Sequence, residues 1–96
     1  MKALRLLQKK KPEIEAVARR YGIQKIRIFG SIARGEETRR SDVDMLVKSK
    51  HVLTIPELCS VQDELSKLLG KRVQVVEEPE LNPYIRARVL REAVRL

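Results

Sequence analysis

The chain has 96 residues, 43% of them apolar and 35% charged, which is the composition of a globular domain and not of a disordered segment. Lys and Arg number 21 against 13 Asp and Glu, so the net charge is +8 and an anionic partner is favoured, whether nucleotide, nucleic acid or an acidic protein surface. A single cysteine, Cys59, and no apolar run near the roughly 20 residues of a membrane span exclude a disulfide-stapled or membrane-spanning protein; the expectation is one cytoplasmic domain over residues 1–96.

Ile14, Val17, Ala18 and Tyr21 fall on one face of a helix, with Pro12 suited to its first turn and Gly22 to its C-terminal cap. Leu4 and Leu7 extend this helix backwards, with Pro12 as a kink. Ile26-Arg27-Ile28-Phe29 alternates and is β-branched, which predicts a strand ended by Gly30-Ser31. Ser31 to Arg34 suits one helical turn, and the polar stretch from Arg34-Gly35 to Ser41 is rich in turn residues. Val43 to Val47 predicts a second, mostly apolar and therefore central strand. Leu58, Val61, Leu65 and Leu68 form a helical stripe opened by Pro56 and closed by Gly70. Arg72 to Val76 predicts a third strand. Asn82-Pro83 marks the start of a last helix carrying Ile85, Val89 and Ala93. The sum is a small α/β (α+β) domain, a mixed sheet of three to four strands flanked by helices.

Two features in the middle of the chain carry chemistry. Asp42 and Asp44 sit at the start of the second strand, and side chains two apart on a strand share a face. Paired carboxylates repel, and a hard divalent cation such as Mg²⁺ offsets that repulsion while also binding substrate phosphates. Gly30 permits close backbone approach, and Ser31 beside it offers a hydroxyl and an amide to an anion. Either feature alone is common in turns and caps. Together, at two strand ends, they form the apparatus of phosphoryl or nucleotidyl transfer.

The stretches Phe29-Gly30-Ser31-Ile32-Ala33-Arg34-Gly35-Glu36 and Ser41-Asp42-Val43-Asp44-Met45-Leu46-Val47 resemble the G-S-x₁₀-D-x-D signature of minimal nucleotidyltransferases, stand-alone members of the DNA polymerase β-like superfamily. The likeness extends over nearly the whole chain, including Leu68-Leu69-Gly70 and Arg91-Glu92-Ala93-Val94. It implies that Gly30 and Ser31 engage the triphosphate of ATP and that Asp42 and Asp44 hold Mg²⁺ and carry catalysis. It also implies a partner, because many such proteins are the antitoxin halves of MNT–HEPN pairs and transfer AMP from ATP to a tyrosine of the HEPN toxin. The superfamily supplies a third carboxylate from the next strand, where this chain has Gln74. A glutamine amide is no general base at neutral pH. Two readings therefore stand: an active Mg²⁺-dependent transferase, or an antitoxin that neutralises its partner by binding alone.

Arg34 reaches either a nucleotide phosphate or an acidic neighbour such as Glu36 or Glu37. Glu78 shares a strand face with Gln74 only if the strand continues, and then roughly 13 Å away. Arg88, Arg91 and Arg95 share a helical face that is solvated or docks an acidic partner, and His51 lies in a loop. Cys59 is expected in the core and Tyr84 to pack. With two Tyr, one Phe and no Trp, base stacking is hard to build, so the charge supports only non-specific nucleic-acid attraction. The small size points to a partner subunit or a homodimer.

Overall fold

The computed structural model describes residues 2–96. Two short helices open the chain, α1 (Lys2–Lys9) and α2 (Lys11–Arg20). The expected continuous helix kinked at Pro12 is instead broken at Lys10, whose ψ of 9° leaves the helical range. Pro12 has no N–H to give the Gln8 carbonyl and its ring crowds that carbonyl, so the first helix stops and the second restarts from the Lys10 carbonyl, which accepts from Ile14 N–H at 3.0 Å.

The chain then forms β1 (Ile23–Phe29), a single helical turn α3 (Ser31–Arg34), β2 (Val43–Ser49), α4 (Ile55–Leu69) and β3 (Val73–Glu77). A 3₁₀ turn at Glu78–Glu80 leads into α5 (Pro83–Glu92) and a two-residue strand, β4 (Val94–Arg95), which the periodicity did not predict. The sheet order is β3-β2-β1-β4. β1 runs antiparallel to β2 and β4, while β2 and β3 are parallel and joined across α4. Helix α4 is held at its start by a reciprocal capping box between Thr54 and Glu57, with Thr54 N–H donating to Glu57 Oε1 at 2.9 Å and Glu57 N–H to Thr54 Oγ1 at 3.2 Å.

Strand alternation sorts the sheet into two unequal faces. Ile28, Val43, Met45, Val47, Val73 and Val75 join Ile14 and Ala18 of α2 and Val61, Leu65 and Leu69 of α4 in the larger core. Leu46 joins Leu81 and Val89, with Phe29 and Val76, beneath α5 on the other face. The outward amides of β3 are taken by α4: Val73 N–H donates to Ser66 Oγ and Val75 N–H to Gln62 Oε1, each at 2.9 Å.

Three further expectations are corrected. Cys59 is exposed on the outer face of α4, one position off its buried stripe. Tyr84 is 97% exposed in the first turn of α5, because the helix turns Ile85 and Val89 to the sheet instead. Arg95 lies in β4 and not on the helix that carries Arg88 and Arg91. Truncating Leu65 to Ala should cost about 2–5 kcal/mol in urea denaturation, whereas Cys59→Ser should change stability by no more than about 0.5 kcal/mol.

Candidate active site

The site forms where β1 ends and β2 and β3 begin. Phe29 pairs with Asp44, and Asp44 pairs with Gln74, so these three residues make one row across β1, β2 and β3. They share the sheet face of Leu46 and Val76, which α5 covers only in part. Asp42 precedes Asp44 on the same face, just before β2 starts. Its segment is fixed on both sides: Thr38 N–H donates to Ser41 Oγ at 2.8 Å, and Val43 N–H donates to the Arg72 carbonyl at 2.8 Å.

Gly30 is the pivot between β1 and α3. Its φ of 78° and ψ of −153° lie where side-chain-bearing residues are strained. A Cβ at this position would also fall on the Asp44 carboxylate, at Oδ2. Ser31 follows it, half-buried, and Ile32 drops into the large core and anchors the turn. Arg34 N–H closes back on the Gly30 carbonyl at 3.1 Å and Glu36 N–H on the Ser31 carbonyl at 2.8 Å, so the turn has one geometry.

The electrostatics follow from this packing. Burial, reinforced by the charge of Asp42, raises the Asp44 carboxyl above its ordinary value; Arg34 opposes the rise and Glu92 adds to it. Gln74 Nε2 stands 3.5 Å from Asp42 Oδ2 and directs an N–H toward it. Among the described residues no group of three or more His, Cys, Asp or Glu side chains is placed to hold a metal ion. The oxygen donors at hand are the two aspartates and the Gln74 amide. Two like charges on one strand face, one of them half-buried, suit a divalent cation that accepts carboxylate oxygens and keeps positions for phosphate.

All the residues singled out by the motif come together here: Gly30, Ser31, Asp42, Asp44 and Gln74. Arg34 is drawn in as well, but through acidic partners. Its Nε donates to Glu36 at 2.9 Å and its Nη1 to Glu92 at 2.9 and 3.3 Å. Glu36 was among the expected neighbours; Glu92, 58 positions away, stands in the closing stretch of the family likeness, which gave it no role. Glu78 is outside the site, since β3 ends at Glu77 and Glu78 turns to Arg27 at 3.0 Å. His51 lies in the loop expected for it, 3.5 Å from Glu57. A cavity of about 420 Å³ beside Ala18, Gly22, Ile23 and Lys50 sits at the opposite end of β1.

A four-stranded mixed sheet with a glycine-serine turn facing a carboxylate pair is the architecture of a minimal nucleotidyltransferase. The nucleotidyltransferase domain family matches residues 13–96, and the chain belongs to that family. It is 39% identical over 75 residues to the protein adenylyltransferase MntA of Thermococcus cleftensis, covering 78% of this chain and 76% of that one. Its fold superposes on the solved structure of a candidate minimal nucleotidyltransferase with a TM-score of 0.82 and 38% identity, covering 97% and 95% of the two chains. It also superposes, at a TM-score of 0.71 and 19% identity, on a chain of the complex between a tri-AMPylated HEPN toxin and the MNT antitoxin of Shewanella oneidensis, over 92% of this chain and 69% of that one; at this identity the likeness is one of fold. Among the described residues no helix is long and apolar enough to cross a membrane.

Two outcomes test the site. Gly30→Ala should lower the melting temperature, because the new methyl group and the Asp44 carboxylate compete for one volume and residue 30 holds a positive φ. The raised carboxyl of Asp44 means that the folded state holds its proton to higher pH than the unfolded state, so its ionisation lowers stability as pH rises above the unfolded value of 3.8. Asp44→Asn should therefore raise the melting temperature of the metal-free protein at pH 7, and the gain should vanish at acid pH.

Proposed function

We propose that this protein transfers AMP from ATP to a tyrosine hydroxyl of a HEPN-domain toxin and so acts as its antitoxin. The observation that carries the reading is the convergence of Gly30-Ser31 with Asp42 and Asp44 at one end of the sheet, with Gly30 shaped to clear Asp44. Family membership supplies the reaction class, and the names of its relatives supply the protein acceptor and the toxin partner.

In this reading Gly30 and Ser31 receive the triphosphate, and Arg34 lends positive charge to it. Asp42 and Asp44 are the residues that hold Mg²⁺. A bound Mg²⁺ supplies charge neutralisation at the phosphates and fixes their orientation. The acceptor oxygen attacks the α-phosphorus in line, the bond to the α,β-bridging oxygen breaks, and pyrophosphate leaves. The acceptor proton passes to a carboxylate or to water, since Gln74 has no basic oxygen for it. The partner, or a second copy of this chain, completes the acceptor side. Cys59, an exposed free thiol, suits a reducing cytoplasm.

Gln74 favours one competing reading, in which the nucleotide site is silent and the protein neutralises its partner by contact alone. Intact mass of the HEPN partner, incubated with this protein, Mg²⁺ and ATP, separates the two. The transferase adds one or more AMP units. Replacing Asp42 and Asp44 with Ala should cut labelling by about 100-fold or more. An unchanged mass beside a stable complex that forms without ATP would overturn the enzymatic reading. Within an active enzyme, Gln74→Asp should speed labelling by supplying the missing carboxylate.

A further inference from the structure

We propose that Glu92 is a positioning residue of the nucleotide site, holding the Arg34 guanidinium where the phosphate chain will meet it. The inference rests on the nucleotidyltransferase reading and goes beyond it by assigning a residue outside the motif.

Glu92 stands where a carboxylate is poorly tolerated. It is the last residue of α5, at the negative end of the helix dipole. Its side chain is 14% exposed, the least of the ion-paired carboxylates among the described residues. An apolar residue would serve the packing of α5 at lower cost. A charge held against two unfavourable conditions beside the candidate site has a use there.

The use is visible in Arg34. Glu92 receives Nη1 on both carboxylate oxygens while Glu36 receives Nε, so the guanidinium is fixed along two edges. Arg34 ends the turn that Gly30 opens, its N–H closing on the Gly30 carbonyl at 3.1 Å, and Gly30 is packed against Asp44 Oδ2, so the guanidinium is carried by the turn that faces the carboxylate pair. The backbone that follows Glu92 is held in place. Ala93 N–H closes on the Val89 carbonyl at 2.9 Å, and Val94 pairs with Ile28, two residues before Gly30. The ion pair therefore joins the Gly30–Gly35 turn to the end of α5.

The test is ATP affinity by calorimetry, with Mg²⁺ and the full chain, beside thermal melting of each variant. Glu92→Gln should weaken ATP binding about 10-fold or more, and should add little once Arg34 is Ala, because the two act through one contact. Glu92→Leu separates positioning from structure: an apolar side chain suits this largely buried place and should hold the melting temperature, yet ATP binding should weaken as much as in Glu92→Gln. Wild-type ATP affinity in Glu92→Gln or in Glu92→Leu would overturn the inference and leave the ion pair as a tie between α3 and α5. Failure of the wild-type protein to bind ATP, or binding that survives Asp42→Ala with Asp44→Ala, would overturn the nucleotidyltransferase reading and the inference with it.

Discussion

The Asp44 carboxylate lies where a side chain at position 30 would begin, and much of the structure exists to make that contact permissible. Residue 30 must be glycine and must adopt a backbone conformation open to glycine. The turn it starts must then be tied down, which Ile32 does by entering the core. The strand that bears Asp44 must be held in register on both sides, by Phe29 on β1 and Gln74 on β3. A slip of one residue in either ladder would turn the carboxylate into the large core and a valine or methionine out to solvent.

Most of this was legible in the sequence because local chemistry fixes it. The alternation of Val43 to Val47, the stripe of α4 and the Asn82-Pro83 start of α5 each follow from the nearest few residues. The motif residues were legible for the same reason. What escaped depended on distant parts of the chain. β4 is two residues long and exists only because α5 delivers Val94 beside Ile28. Pro12 predicts a kink in one helix, whereas its missing N–H and its crowding of the Gln8 carbonyl split the helix at Lys10. Tyr84 and Cys59 were misplaced because neighbouring helix positions point about 100° apart, and each stands one position from the residue that faces a core, Ile85 and Leu58. Glu92 reaches Arg34 across 58 positions, and only the fold brings them together.

The charge of the chain and the charge of the site have opposite signs. A net +8 draws anions toward the molecule from a distance, whereas Asp42, Asp44 and Glu92 repel them at close range. Under the proposed function this opposition selects for a nucleotide that arrives with its cation, since free triphosphate would meet the carboxylates uncompensated. Gln74 softens the local excess: an amide at that place in the row donates toward Asp42 where another acid would have added a third negative charge.

The side chains of Ser66 and Gln62 have one more consequence. By occupying the outward amides of Val73 and Val75, they spend the hydrogen-bonding capacity that would let another chain extend the sheet alongside β3. That flank is closed to strand addition. A protein that engages the molecule from this side must do so with side chains against side chains.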